Sequence, residues 1–228
     1  MLASDLLGNT NAMSWPVGAP VSLDDEARAL APLLAAAPAH LVGHSYGGAV
    51  ALQLALRWPD RVRSLTLYEP VRFALLLHDA RADNRAIGQA VVAVGHRIGL
   101  EVLSGALDAA AARFVDYWSG VGAWLQLVPA RQEAVVQRMP KVRAEFEALF
   151  ADPVAPGAWR ELTMPVRMIG GSRSPLAARR LLDLLGEQLP QARRITLDGI
   201  GHMGPVQAPQ RVLEAVTQLQ QTAWAQAA

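Results

Sequence analysis

The sequence predicts an α/β fold, in which a mostly parallel, doubly wound sheet is interrupted by an inserted helical cap. Strand-like and helical segments alternate at both ends of the chain, and a helical stretch without strand patterns separates the two alternating parts. Parallel strands need a crossover, which is usually a helix, so this alternation indicates a parallel sheet. We assign residues 1–70 and 161–228 to the α/β core and residues 71–160 to the cap.

The first alternating part contains two clear strands joined by an apolar helix. Residues 1–5 could form the end of a strand, and residues 8–20, rich in Gly, Pro and Asn, indicate a loop. Ser22 precedes three acidic residues, which is typical of a helix start, and Pro32 should kink that helix. A βαβ unit follows, with a strand at 39–42, a helix at 48–58 and a strand at 62–68.

The second alternating part begins after Pro165. It is predicted to contain a strand at 166–169, a helix at 175–189, a strand at 195–197 and a closing helix at 209–224. Helical spacing predicts that the closing helix turns one apolar side inward, formed by Val212, Leu213, Val216 and Leu219.

Composition argues against several classes of function. The 228 residues carry a formal net charge of +1, aromatic residues make up 6%, and cysteine is absent. A nucleic-acid interface normally needs a basic patch, and disulfides or thiolate metal sites need cysteine. The most apolar stretch, residues 29–42, is broken by two prolines and is too short to cross a bilayer. We therefore expect a cytoplasmic protein without nucleic-acid binding or membrane insertion, and a homodimer is left open.

A G-x-S-x-G motif lies where the first clear strand meets its helix, in the segment Gly43-His44-Ser45-Tyr46-Gly47-Gly48. Such a turn forces a positive φ on the serine and lifts its hydroxyl away from the sheet. The flanking glycines lack side chains, so strand and helix can approach closely. We predict that Ser45 is a nucleophile and that the N–H of Tyr46, at the helix start, holds the oxyanion.

On these residues the chain resembles the α/β-hydrolase family, which places its nucleophile on such an elbow. The resemblance is strongest over residues 22–70 and 165–205, and the helical stretch is similar only in kind to the caps of esterase and C–C-bond hydrolase branches. It implies an α/β-hydrolase fold, a small-molecule substrate, and no metal or organic cofactor.

A serine nucleophile needs a neighbouring base, and His202 is the best candidate among the histidines. It lies in the loop Gly199-Ile200-Gly201-His202, after the last predicted strand, where the resemblance implies the catalytic histidine. The order of serine before histidine along the chain also agrees. His44 lies beside the nucleophile, but neighbours on an extended chain face opposite sides, so its side chain should point away.

The acid of the triad has several candidates. The resemblance implies an Asp a few residues after the strand at 166–169, and Ser174 occupies that position. Glu69 is the best substitute, because it ends the strand after the elbow helix, where haloalkane dehalogenases of the family carry their acid. Asp198, close to His202 in sequence, and a Ser–His dyad without an acid are further alternatives.

The resemblance also implies that the fold is truncated at its N-terminus. The first three strands of the family sheet, the first helix and the loop with the second oxyanion N–H have no counterpart here. We expect an unpaired edge at the strand 39–42, unless residues 1–5 take the gap. Loss of one oxyanion donor typically lowers the rate about 10²–10³-fold, so the chain as given should work weakly. A misassigned start and a true remnant are the two explanations.

Aromatic residues in the cap are candidates for a substrate pocket. Phe114, Tyr117, Trp118 and Val121 recur at helical spacing, and the alternative is that they pack the cap helices together. The candidate substrate-binding residues are therefore Phe114, Trp118, Met203 and His44.

The function predicted from the sequence is hydrolysis of an ester or similar acyl bond, or of a C–C bond next to a carbonyl, in a small apolar substrate. In this prediction Ser45 attacks and His202 transfers the proton, while Glu69 or Ser174 orients His202. The alternative is a catalytically impaired remnant or a protein that binds a small ligand. A dehalogenase is disfavoured because it needs an Asp nucleophile at position 45.

Overall fold

The computed structural model describes residues 2–8, 15–16, 18–153 and 157–225, and for residues 218–225 it describes the main chain alone. By its internal contacts the chain divides into two compact units. The helical unit contains Met1–Leu30 and Phe73–Pro153, and the sheet unit contains Ala31–Arg72 and Val154–Ala228.

The helices and strands follow one another in the order α1 (Leu23–Leu30), β1 (Ala39–His44), α2 (Ser45–Arg57), β2 (Val62–Tyr68), α3 (Ala74–Leu77), α4 (Ala82–Leu103), α5 (Leu107–Ser119), α6 (Pro129–Phe150), β3 (Val166–Gly171), α7 (Leu176–Gln188), β4 (Arg193–Leu197), α8 (Gly204–Gln207) and α9 (Pro209–Ala225). Short 3-10 helices lie at Ala31–Leu34, Pro59–Arg61, Trp124–Gln126 and Ala158–Glu161.

The sheet unit is organised around a parallel sheet, which in the described residues has four strands in the order β1-β2-β3-β4. The central strands β2 and β3 are almost entirely buried, as expected of parallel strands covered on both faces. The prediction of an α/β fold with a parallel sheet is therefore confirmed.

Two strands extend further than the sequence predicts. β1 continues to His44 and β3 to Gly171, and α2 begins at Ser45 without an intervening loop. The predicted strands end at residues 42 and 169, whereas Gly43, Gly170 and Gly171 belong to β1 and β3. The consequence is that β1 leads directly into α2, which fixes the position of Ser45.

The strand predicted at residues 1–5 is not found in the described residues. Residues 2–6 have no regular structure and residues 7–8 form a turn. A strand exists only where a neighbour satisfies its backbone hydrogen bonds. Within the described part of the chain β1 pairs with β2 alone, so β1 is an edge strand.

The start of α1 agrees with its prediction. The N–H of Asp25 donates to the hydroxyl oxygen of Ser22 over 3.1 Å, which satisfies a donor of the first turn. The α-helix ends at Leu30, and a 3-10 helix containing Pro32 follows. Proline has no N–H to continue the helical ladder, so the predicted kink is a termination instead.

The closing helix α9 packs on the sheet with a narrower face than predicted. Val212 and Ala215 are buried in a cluster with Tyr68, Ile169 and Ile200. Leu213 is 56% exposed, because it lies about 100° around the helix from Val212. The side chain of the residue at 219 lies outside the described residues.

The helical unit has its own aromatic core. Phe146 of α6 stacks on Phe73 with 6.2 Å between ring centroids, and it meets Phe114 of α5 edge-on at 6.5 Å. α5 ends at Ser119, and Val121 beyond it is fully exposed. Val121 therefore does not belong to the aromatic stripe that its spacing suggested.

The N-terminal residues group with the helices and not with the sheet. Glu26 of α1 forms a buried ion pair with Lys141 of α6, with 2.5 Å between Oε1 and Nζ. Its other carboxylate oxygen accepts the N–H of Leu7 over 2.9 Å. The core at 1–70 and 161–228 and the cap at 71–160 stay predictions.

One described helix, α4, is long and apolar enough to cross a membrane by length and composition. Core helices of soluble proteins meet the same criterion, so this observation alone carries no conclusion.

Candidate active site

The strand-to-helix turn at Ser45 has the geometry of a nucleophile elbow. Ser45 is the first residue of α2 and has a φ of 53°, in the left-handed region. A side chain at Gly43 would lie 2.5 Å from the carbonyl oxygen of Gly47, so only glycine permits this turn. The N–H of Val71 donates to the Ser45 carbonyl over 3.3 Å, which ties the turn to the end of β2.

The loop between β4 and α8 brings His202 to this serine. Nε2 of His202 lies 3.0 Å from Oγ of Ser45. The histidine is 1% exposed, whereas Ser45 is partly exposed. The two residues predicted from separate parts of the sequence are therefore within hydrogen-bond distance.

The carboxylate of Glu69 faces the other ring nitrogen of His202. Oε2 of Glu69 lies 2.8 Å from Nδ1 of His202. Oε1 of Glu69 accepts two further hydrogen bonds, from the N–H of Gly171 over 2.6 Å and from the hydroxyl of Ser174 over 2.5 Å. Glu69 is fully buried and has a φ of 43°.

Burial alone would raise the pKa of Glu69, but the hydrogen bond and charge of His202 lower it, and Ser174 and Gly171 add to this effect. The net result is a pKa below the ordinary value. Glu69 is therefore a carboxylate, and a carboxylate can only accept a hydrogen bond. It follows that in the neutral imidazole of His202 the proton is on Nδ1 and the lone pair of Nε2 faces Ser45.

The alternatives for the acid take other positions. Ser174, which occupies the usual acid position in the sequence, is buried and its hydroxyl donates to Glu69. Asp198 is exposed and accepts a hydrogen bond from Ser172 over 2.9 Å. The structure thus places Glu69 next to His202, with Ser174 behind it.

The expectation that His44 points away from the site is wrong. Its ring lies 4.9 Å from the ring of His202, and its Nε2 is 2.9 Å from the main-chain oxygen of His202. Alternation of side chains holds for consecutive extended residues, and the left-handed φ of Ser45 ends it. The side chains of His44 and Ser45 therefore face the same histidine.

Tyr68 is a residue that the sequence analysis did not single out. It is the register partner of His44, and its hydroxyl donates to the carbonyl of Gly201 over 2.7 Å. Its position in the sequence is a signal that identifies it, because Tyr68 is the last residue of the strand that pairs with β1.

The remaining predicted residues lie in three places. Tyr46 is buried in the first turn of α2, and Met203 is partly buried directly after His202. Phe114 and Trp118 belong to α5 of the helical unit, where Trp118 is 5% exposed. The substrate-binding roles of Phe114, Trp118 and Met203 stay predictions.

Among the described residues, no group of three or more His, Asp or Glu side chains is arranged to hold a metal ion.

Comparisons with known proteins agree on one family. Residues 4–215 match the model of the alpha/beta hydrolase family. The chain is 28% identical over 212 residues to a pimeloyl-[acyl-carrier protein] methyl ester esterase of Neisseria meningitidis, a match that covers 88% of this chain and 61% of that protein. It is 45% identical over 71 residues to the lipase LipV of Mycobacterium tuberculosis, covering 30% of this chain and 26% of the lipase.

The fold also matches solved structures. The enol-lactonase of Burkholderia xenovorans superposes with a TM-score of 0.71 at 16% identity, covering 95% of this chain and 79% of the enzyme. At this identity the match shows the fold alone.

Proposed function

The chain belongs to the alpha/beta hydrolase family, and from this premise we propose that it is a serine hydrolase that cleaves an ester or related acyl bond of a small, apolar substrate. The observation that carries the proposal is the continuous relay from Ser45 through His202 to Glu69, with contacts of 3.0 Å and 2.8 Å. Such a relay activates a hydroxyl that is otherwise a weak nucleophile.

In the first half of the proposed reaction, Oγ of Ser45 attacks the carbonyl carbon and Nε2 of His202 takes the hydroxyl proton. The imidazolium that forms is stabilised by the carboxylate of Glu69 at Nδ1. When the carbonyl re-forms, the bond to the leaving alcohol breaks, and His202 returns its proton to the alcohol oxygen. The acyl group is then bound to Ser45.

In the second half, water replaces the alcohol. His202 takes a proton from water, the hydroxide attacks the acyl carbon, and the proton passes to Oγ of Ser45 as the acid leaves. Ester and water become acid and alcohol, so no cofactor is needed to balance the reaction.

Tyr46 is the proposed oxyanion donor of this site. It lies in the first turn of α2, where N–H groups point out of the helix end and the helix dipole favours negative charge. Ser45 is the adjacent residue, so an oxyanion formed on the acyl carbon would develop near the Tyr46 N–H.

An ester is the favoured substrate class because relatives that match over 212 and 189 residues are methyl ester esterases and a further relative is a lipase. The match with the Neisseria esterase covers 61% of that protein, so the identity of the substrate is itself a proposal. A methyl ester of an aliphatic acyl chain is the natural first substrate to assay.

The proposal is tested with a fluorophosphonate probe and a panel of p-nitrophenyl and methyl esters of increasing acyl length. We expect a covalent adduct on Ser45, located by mass spectrometry, and ester turnover that disappears in Ser45→Ala. Ser104→Ala, at the end of α4, is the matched control and should keep full turnover. A folded sample without an adduct on Ser45 would contradict the proposal and favour the ligand-binding alternative.

A further inference from the structure

The loop that carries His202 is held through three consecutive carbonyl groups. The carbonyl of Ile200 accepts the N–H of Arg173 over 2.9 Å. The next carbonyl, that of Gly201, accepts the hydroxyl of Tyr68 over 2.7 Å, and that of His202 accepts Nε2 of His44 over 2.9 Å. At residues 201–203 the loop is neither helix nor strand, and these three bonds fix its main chain together with a turn bond from the N–H of Gly204 to the Gly201 carbonyl over 3.0 Å.

The two side chains that hold Gly201 and His202 come from one point of the sheet. His44 and Tyr68 form the last register pair of β1 and β2. Their rings meet edge-on, with 5.4 Å between centroids, and Tyr68 is 2% exposed. Each ring therefore restricts the other, and the donor atoms have little freedom to move.

The protonation states of both rings suit this role. A carbonyl only accepts, so Nε2 of His44 must carry a proton. Burial, reinforced by the nearby His202, lowers the pKa of His44 to about 4, so the ring is neutral near pH 7. Burial also raises the pKa of Tyr68, which therefore remains a phenol donor. A neutral His44 adds no positive charge beside His202 when that residue takes up a proton.

We propose that His44 and Tyr68 are positioning residues that hold the main chain of His202 in register with Ser45 and Glu69. The proposal rests on the role assigned to His202 above. His202 has to keep contacts on two sides, at 3.0 Å and 2.8 Å. A displacement of about 1 Å can lower a catalytic rate about 10²-fold, so a loop without these two anchors would lose rate and not substrate affinity.

Three substitutions test the proposal by ester kinetics. Tyr68→Phe removes only the hydroxyl, and His44→Leu removes the imidazole donor. Each should lower kcat roughly tenfold and leave KM within about twofold, and the double variant should lose about 100-fold. His44→Gln restores an N–H donor and should recover most of the rate.

His40→Gln is the matched control, because His40 lies on the same strand and contacts Ser64 over 2.7 Å. It should keep the wild-type kcat. Unchanged kcat in both Tyr68→Phe and His44→Leu would overturn the proposal, and so would failure of His44→Gln to exceed His44→Leu.

A proton NMR measurement decides the proposal independently of turnover. The Nδ1 proton of His202, bound to a buried carboxylate, should give a far-downfield signal in the wild type. The signal should broaden by exchange in Tyr68→Phe and persist in His40→Gln. A sharp, unshifted signal in Tyr68→Phe would overturn the positioning role. An unreactive Ser45 in the wild type would contradict only the proposed function.

Discussion

Ser45 and Glu69 occupy matching positions at the ends of neighbouring strands. His44 and Tyr68 are the last paired residues of β1 and β2, and the residues that follow them have φ values of 53° and 43°. Non-glycine residues in this region cost on the order of 1–3 kcal/mol each. Both turns direct a side chain to His202, so the same backbone conformation positions the hydroxyl and the carboxylate.

The position of Glu69 predicts the ranking of two variants. Glu69→Gln removes the charge that stabilises the imidazolium and permits the wrong tautomer, so kcat should fall about 10³–10⁴-fold. Ser174→Ala removes one hydrogen bond to the carboxylate and should cost about tenfold or less. Steady-state kinetics on the best ester measure both, with thermal melting as the control for folding. The reverse ranking would contradict the assignment of Glu69 as the acid.

Gly171 should tolerate no side chain. A Cβ there would collide with the carbonyl oxygen of Ile200 and lie 3.0 Å from the nitrogen of Gly201, in the loop that carries His202. Gly171→Ala should therefore lower the unfolding free energy by about 1–3 kcal/mol and reduce kcat more than tenfold.

Gly186→Ala in α7 is the control for this variant. The nearest atom to a Cβ at position 186 is Cε of Met168 at 3.6 Å, an ordinary contact. This substitution should raise the unfolding free energy by about 0.5–1 kcal/mol. If Gly171→Ala and Gly186→Ala change the free energy of urea unfolding equally, the loop with His202 does not pack closely against β3.

The buried ion pair of the helical unit should show strong coupling. Lys141 and Glu26 are 5% and 0% exposed, and breaking such a pair leaves an uncompensated charge. Lys141→Met should cost about 3–5 kcal/mol, whereas Lys141→Met combined with Glu26→Leu should cost much less. Urea unfolding of the single and double variants measures the coupling.

The pair of Arg143 and Glu147, at 2.8 Å and with side chains 26% and 54% exposed, provides the comparison. Arg143→Ala should change the unfolding free energy by less than about 1 kcal/mol. Additive effects of the Lys141 and Glu26 substitutions would contradict the coupling.

Glu145 should make the stability depend on pH. Burial raises its pKa to about 7, partly offset by Lys141 and supported by the charge of Glu26. The folded state therefore keeps a proton that the unfolded state loses near its ordinary pKa of 4.5. Below pH 4.5 the group is protonated in both states and does not change the unfolding free energy. Between pH 4.5 and about 7 the unfolded state loses the proton first, so the unfolding free energy falls as the pH rises.

Glu145→Gln should remove this loss. The variant and the wild type should be equally stable near pH 4, and the variant should be more stable at pH 8, by up to about 3 kcal/mol. Unfolding titrations across this range measure the difference, and a difference that is constant with pH would contradict the raised pKa.

The sequence predicts those parts of the site whose geometry is local. The turn at Ser45 is determined by its own glycines and by the strand and helix on either side, so the motif identifies it. His202 is identified through the resemblance, which implies the catalytic histidine in the loop between the last strand and the closing helix. The acid cannot be identified in this way, because several acidic residues lie near strand ends. Only the register of β1 with β2 brings Glu69 to the imidazole.

Two errors have a common physical origin. Strand alternation predicts the orientation of His44, and residues 1–5 are predicted as the end of a strand. The alternation rule assumes that the residue after His44 is also extended. The prediction of a strand at residues 1–5 assumes a neighbouring strand to pair with. A left-handed residue follows His44, and in the described residues β1 pairs with β2 alone, so neither assumption holds.

Because residues 39–69 hold both the hydroxyl and the carboxylate that contact His202, we expect that this stretch can be exchanged as one module. A chimera that receives these residues from another hydrolase should acquire a matched pair, and the rest of its chain has to contribute the imidazole loop, a glycine at position 171 and the hydrogen-bond donors of the turn after β3. The turn after β3 is thereby released from carrying a charge, and any redesign of it has to retain the hydroxyl at position 174 that binds the carboxylate.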